Sequence, residues 1–199
     1  MLVSTILIVF SYLIGAIPFG YIIVKKYSNI NIQEFGSGNI GSTNVKRAIG
    51  KKGAILTQLL DILKGLIPTL ITLLIVKNGL VKGLPSDITL FASFSTILGH
   101  DFTPFLKFRG GKGVNTTMGA SLIVTPLSTI LAFLIYVIAK KVGKFVSVGS
   151  LLIGLSLPLF SFIFYGASST SLYSLCAGIL LILRHRDNIH RLLNRKENL

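Results

Sequence analysis

The chain has 199 residues, of which 51% are hydrophobic and only 13% charged, and its mean hydropathy is +0.76. A soluble domain carries roughly 25% charged residues, so an ordinary water-soluble fold is excluded, and the apolar content excludes a disordered chain. The single cysteine, Cys176, rules out a disulfide framework or a cysteine-ligated metal centre, and three histidines and six acids leave little for a multi-metal site.

What remains is a polytopic membrane protein. A spanning helix needs about 17–25 mainly apolar residues. Residues 2–24 and 54–76 satisfy this, and so do 88–106, although that stretch includes the polar Gly99-His100-Asp101. Residues 114–139 are apolar but cut by Pro126; 145–165 and 172–183 follow, the last extendable through 168–171. The first stretch lacks a basic leader and continues through Gly15-Ala16-Ile17-Pro18-Phe19-Gly20, so it is expected to be a span and not a cleavable signal.

Cytoplasmic loops collect Lys and Arg. Lys25, Lys26, Lys46, Arg47, Lys51 and Lys52 fall in one loop, Lys107, Arg109 and Lys112 in a second, and Lys140, Lys141 and Lys144 in a third. The tail adds Arg184, Arg186, Arg191, Arg195 and Lys196, whereas the opposite loop holds only Lys77 and Lys82. This sorting puts the N-terminus outside and the C-terminus in the cytoplasm. Parity then requires 114–139 to cross twice, as a hairpin of two short helices broken near Thr125-Pro126. The expectation is a single all-α domain, 1–199, with seven transmembrane helices; a five-span version with a re-entrant pair at 114–139 has the same parity. No internal repeat is evident, which weighs against an inverted-repeat transporter.

The inside loops carry the chemistry. The first reads Phe35-Gly36-Ser37-Gly38-Asn39-Ile40-Gly41-Ser42-Thr43-Asn44-Val45-Lys46-Arg47. Its glycines permit positive φ and close approach of backbone to ligand, and successive N–H groups in such a loop form an anion-binding concavity. Ser37, Asn39, Thr43 and Asn44 add short hydrogen-bonding groups, and Arg47 can grip a phosphate with two parallel bonds. The literal G-x-G-x-x-G match is discounted, because a dinucleotide site needs a preceding strand; the plain alternative is a polar linker.

The second loop runs from Gly99-His100-Asp101 through Lys107-Phe108-Arg109-Gly110-Gly111-Lys112-Gly113 into Val114. It lacks the P-loop spacing. Gly110, Gly111, Lys112 and Gly113 opening into an apolar helix still place backbone donors and a cation at a helix N-terminus, a sound phosphate site; simple positive-inside decoration accounts for Lys107 but not for the glycines. In the third region, His185 and Asn188 fall three apart on one helical face with Leu192, while Arg184, Arg191 and Arg195 suit anionic headgroups. Asp61 and Lys64, within the second span, have the spacing of an ion pair, and direct substrate contact is the alternative.

Together, Gly36–Arg47, Gly99–Val114 and His185–Glu197 closely resemble the bacterial membrane-embedded acyl-phosphate:glycerol-3-phosphate acyltransferase family, along the whole chain. The resemblance implies transfer of a fatty acyl group from acyl phosphate, and not from acyl-CoA or acyl carrier protein, to glycerol 3-phosphate. The product would be lysophosphatidic acid, made at the inner leaflet of the cell membrane as the first step of phospholipid synthesis. By position, Ser37, Arg47, Lys112, His185 and Asn188 become the expected catalytic residues. Gly36, Gly38, Asn39, Gly41, Thr43, Asn44, His100, Arg109, Gly110, Gly111, Gly113, Ser150 and Glu197 become the expected substrate- and phosphate-binding set. Ser42, Arg109, Thr103-Pro104 and Arg195 depart from the family pattern, the last where glycine is common.

The implied partners are the two substrates, membrane lipids and the soluble acyl-phosphate synthase, with no nucleic acid. No cofactor and no metal is expected, since the carboxylates are too scattered for a magnesium cage. Direct attack by the glycerol hydroxyl needs no acyl-enzyme, and either His185 or the donor's own phosphate takes the proton. The rival from another class is a transporter or flippase for a phosphorylated metabolite or lipid.

Overall fold

The structure is a computed structural model that describes residues 1–143 and 145–197; Lys144, of the third basic cluster, lies outside the described residues. Among those residues there is no strand. The helices are α1 (Leu2–Ala16), α2 (Phe19–Ser28), α3 (Ser42–Lys77), α4 (Ile88–Asp101), α5 (Val114–Val124), α6 (Pro126–Gly143), α7 (Val146–Tyr165), α8 (Ser169–Arg184) and α9 (Arg186–Leu193).

The pattern of burial is that of a protein in lipid. On α3 the large apolar side chains Leu59, Leu63, Ile67, Ile71 and Leu74 face outward, while Thr57, Asp61, Lys64, Thr69 and Thr72 are buried. On α1, Ile6, Val9, Phe10 and Leu13 are exposed, and Ser11, Gly15 and Ala16 are buried. Lipid tails are as apolar as leucine, so helices in a bilayer associate through small residues and hydrogen bonds, not through a hydrophobic interior. Among the described residues four helical stretches have the length and composition to cross a membrane: Leu2–Ser28, Ser42–Lys77, Pro126–Gly143 and Val146–Tyr165. Val114–Val124 and Ser169–Arg184 are shorter apolar helices.

The breaks follow local chemistry. Pro18 carries no N–H and forces Ile17 into an extended conformation (φ −58°, ψ 117°), so the first stretch bends between α1 and α2. The stretch expected at 88–106 is helical only to Asp101. Its 14 residues rise about 21 Å, less than the roughly 30 Å of a hydrocarbon core. Phe102 leaves the helix at φ −127°, and Pro104 follows. Conversely, α3 starts at Ser42, inside the expected loop; Gly50, at φ 82°, separates this first helical segment from the apolar remainder. The break before Pro126 falls at Thr125, inside the expected 114–139 segment.

The chain forms two compact units, Met1–Ala120 and Ser121–Leu199. In the first, α1 and α4 meet without intervening side chains: a Cβ on Gly99 would run into the Tyr12 carbonyl and the Ala16 nitrogen. Below them, Val24, Ile32, Ile40 and Val45 form a small buried cluster that packs Tyr21, Ile49 and Leu106 and anchors the segment between α2 and α3. In the second, α7 packs on α6 and α8, with Gly154 and Gly178 facing each other.

Gly99→Val should therefore lower stability by about 1–3 kcal/mol, the usual cost of overpacking. The check is the thermal-unfolding midpoint of the detergent-purified protein, with Leu13→Ala on the outward face of α1 as the comparison expected to move it less.

Candidate phosphate-binding loops and the carboxy-terminal clamp

The first glycine loop is built around Asn44. This side chain, expected to be a phosphate ligand, is 1% exposed and turned inward. Its amide nitrogen donates to the carbonyls of Phe35 (2.8 Å) and Asn39 (3.0 Å), and its oxygen accepts from Ser37 N (3.1 Å). Asn44 thus shapes the loop from within. Asn39 closes the turn by accepting from Gly41 N at 2.8 Å. Gly36 has φ 58°, and any side chain there would collide with the Asn44 amide oxygen, so glycine is required. Gly41 caps α3, which presents Thr43 and Arg47 outward from its first turns; Ser37 is exposed beside them.

The second loop hangs from the end of α4. Gly111 N donates to the His100 carbonyl (3.0 Å) and Gly110 N to the Asp101 carbonyl (3.2 Å). Thr103 Oγ1 donates to the Ala16 carbonyl at 2.6 Å, and Tyr12 Oη to the Phe102 carbonyl at 2.6 Å. Lys107 and Phe108 both take positive φ (53° and 61°), strained conformations for non-glycine residues, at about 1–3 kcal/mol each, that persist only where their surroundings impose them. Gly113, at φ 74°, turns the chain directly into α5, whose first amides lack intrahelical partners. Arg109 is exposed and Lys112 half-buried at this edge.

The two loops are joined. Gln33 Nε2 donates to the Arg109 carbonyl at 3.2 Å, and Leu106 packs on the cluster that anchors the first loop. The sequence does not mark this role of Gln33 in joining the loops, because nothing in its spacing signals a bond across 76 positions. His100, expected among the binding residues, is 4% exposed; its Nδ1 lies 3.7 Å from Asp61 Oδ1. Asp61 in turn pairs with Lys64 at 2.7 Å, which realises the ion-pair alternative for these two.

In the second unit the third-region residues form a hydrogen-bonded group. His185 Nδ1 lies 2.8 Å from the Leu181 carbonyl. A carbonyl only accepts, so Nδ1 carries the proton and a neutral ring keeps its lone pair on Nε2. Asn188 Nδ2 donates to Glu197 at 2.6 Å and Arg191 Nε at 2.8 Å. Burial of the Glu197 carboxyl favours its neutral form, but hydrogen bonds from Asn188, Arg191 and Ser147, with the Arg191 charge, outweigh it and hold the group below the ordinary glutamate value. Arg195, at φ 55°, takes the left-handed conformation that glycine adopts most easily. Ser150 is buried and donates to the Val146 carbonyl at 3.0 Å. Among the described residues no three His, Cys, Asp or Glu side chains gather as a metal site.

An all-helical chain with an apolar, lipid-facing exterior defines an integral membrane protein. Comparison with known proteins agrees. A family model described as "Glycerol-3-phosphate acyltransferase" matches residues 5–195. A glycerol-3-phosphate acyltransferase of Clostridium acetobutylicum is 42% identical over 99% of this chain and 100% of its own length. The Aquifex aeolicus enzyme of that name is 38% identical over 96% of each chain. The crystal structure of PlsY, an integral membrane glycerol 3-phosphate acyltransferase in its glycerol 3-phosphate form, superposes with a TM-score of 0.88 at 38% identity, covering 98% of this chain and 94% of that one. Its lysophosphatidic acid form gives 0.85. The chain belongs to the glycerol-3-phosphate acyltransferase family.

Asn44→Ala should cost about 1–3 kcal/mol through the carbonyls and N–H it leaves unpaired, and limited proteolysis should show faster cleavage at residues 36–41. For Glu197 the folded pKa is the lower one, so its contribution is complete above the unfolded glutamate value of 4.5 and is lost as pH falls through the depressed folded value. Amide exchange over 186–197 should accelerate across that acidic window, and Glu197→Gln should flatten the dependence.

Proposed function

We propose that the chain acylates glycerol 3-phosphate with acyl phosphate as donor, releasing lysophosphatidic acid and inorganic phosphate at the cytoplasmic face of the bacterial inner membrane. The observation that carries this is the joining of two glycine loops, through Gln33 and Arg109, on an edge that presents Arg47, Arg109 and Lys112. Two phosphorylated substrates bring up to about four negative charges, and backbone amides with flanking cations answer that demand. The forms in which PlsY was solved contain glycerol 3-phosphate and lysophosphatidic acid, the acceptor and product that such a transfer connects, which favours an enzyme over a transporter.

In the proposed reaction a glycerol hydroxyl attacks the acyl carbon, a tetrahedral oxyanion forms, and the bond from acyl carbon to phosphate oxygen breaks. Loop amides and Ser37 stabilise the oxyanion, Lys112 and the Gly110–Gly113 amides receive the departing phosphate, and Arg47 grips a phosphate with its guanidinium fork. His185 Nε2 is the proposed proton acceptor, with Asn188 orienting; the donor's phosphate is the alternative. The topology proposed with this function has seven membrane helices, 114–139 as a hairpin, the N-terminus outside and the C-terminus inside, and residues 1–199 acting as one catalytic domain. The soluble enzyme that makes acyl phosphate is the proposed partner.

Purified protein given palmitoyl phosphate and glycerol 3-phosphate in EDTA should release lysophosphatidic acid and phosphate in equal amounts; turnover with palmitoyl-CoA alone would overturn the donor. Lys112→Ala and Arg47→Lys should each lower kcat/KM by on the order of 10²-fold. His185→Ala should lose on the order of 10²–10⁴-fold together with the acidic limb of the pH profile. A surviving limb would assign the proton to the donor's phosphate.

A further inference from the structure

The buried pair on α3 is more than the fold requires. Lys64 Nζ donates at 2.9 Å to the Ile17 carbonyl, at the bend before Pro18, a carbonyl that also accepts from Phe19 N at 3.1 Å, and lies 5.7 Å from the Phe19 ring centroid. A neutral donor such as glutamine would satisfy that carbonyl without a charge. Burying two opposite charges instead, each about 2–3% exposed, is costly, and well-packed neutral residues are commonly as stable or more so. Asp61 is therefore more than the counter-ion of a structural lysine. Its Oδ1 also faces His100 Nδ1 at 3.7 Å.

The other end of that imidazole meets the second glycine loop. His100 Nε2 occupies the space where a Cβ of residue 111 would stand, and the His100 carbonyl accepts from Gly111 N at 3.0 Å. One histidine thus stands 3.7 Å from the charge pair with one ring nitrogen and packs against Gly111 with the other. The loop it supports carries Lys112 and leads into α5.

We propose that Asp61 and Lys64 are positioning residues for the phosphate-binding loop, acting through His100 to fix the place of Gly111 and, with it, the amides of residues 110–113. This deepens the acyltransferase reading and rests on its assignment of phosphate to that loop. Neither residue touches substrate. Asp61 orients the ring, Lys64 keeps the carboxylate in place while tying α3 to the α1–α2 bend, and the ring sets the loop.

The test is glycerol 3-phosphate binding to the full-length, detergent-purified chain, by calorimetry, alongside steady-state kinetics. Asp61→Asn/Lys64→Gln removes both charges and strands neither. Thr69→Val/Thr72→Val, deeper in α3, serves as a structural comparator because those hydroxyls only bond back to Gly65 and Pro68. The expected result is glycerol 3-phosphate affinity and KM worsened by on the order of tenfold or more in the first variant, with kcat changed less and the comparator within about twofold. Equal binding by wild type and Asp61→Asn/Lys64→Gln overturns the inference and leaves the acyltransferase reading intact. Absence of glycerol 3-phosphate binding by the wild type overturns that reading and the inference with it. Should the charge-free variant not fold, nitrogen-15 histidine spectra of the wild type decide. The His100 ring signals, assigned by elimination with His185→Gln and His190→Gln, should move on adding glycerol 3-phosphate, and unmoved signals overturn the inference.

Discussion

Backbone carbonyls left at buried helix ends have to find donors within the protein, because an unpaired buried polar group is costly. The first unit depends on this constraint. Where α1 breaks at Pro18 and α4 stops at Asp101, the carbonyls of Ala16, Ile17 and Phe102 receive Thr103 Oγ1, Lys64 Nζ and Tyr12 Oη. The carbonyls of His100 and Asp101 receive the amides of Gly111 and Gly110. The donors that satisfy two broken helices are thus supplied in part by the second glycine loop itself, and the loop's position follows from the helix breaks.

The close packing of α1 on α4 makes this possible. With Gly15 and Gly99 at the crossing, the two helix ends arrive near enough for Thr103 and Tyr12 to reach across 87 and 90 positions of sequence. The first glycine loop is then brought in by Gln33 and Leu106. The positions of both loops consequently depend on buried side chains behind them. Asn44 shapes one loop from within, and His100 supports the other.

The second unit uses a different device. A single carboxylate, Glu197, receives Asn188 and Arg191 together and so fastens the chain after α9 back onto that helix. His185, at the junction of α8 and α9, has its tautomer set by the Leu181 carbonyl. The bonds from Asn188 and Arg191 are local in sequence, nine positions apart or fewer; spacing puts His185 and Asn188 on one helical face, whereas Arg191, assigned to anionic headgroups, pairs with Glu197.

Composition and periodicity by themselves determined that the chain is an all-helical membrane protein, since too few charges and too long apolar runs admit little else. Proline and glycine chemistry marked the break at Thr125-Pro126 and the two loops, because φ restriction and missing N–H groups act over one or two residues. Tertiary structure alone decided which polar groups face inward. Asn44 has the same hydrogen-bonding capacity as a ligand residue, and only its surroundings turn it toward the protein's own backbone; His100 is likewise buried, beside Asp61 and Gly111. The pairing of Gln33 with Arg109, of Lys64 with Ile17 and of Asp61 with His100 joins positions whose separation carries no local signal. These partners are selected by where the helices end, and that is settled only when the helices have packed.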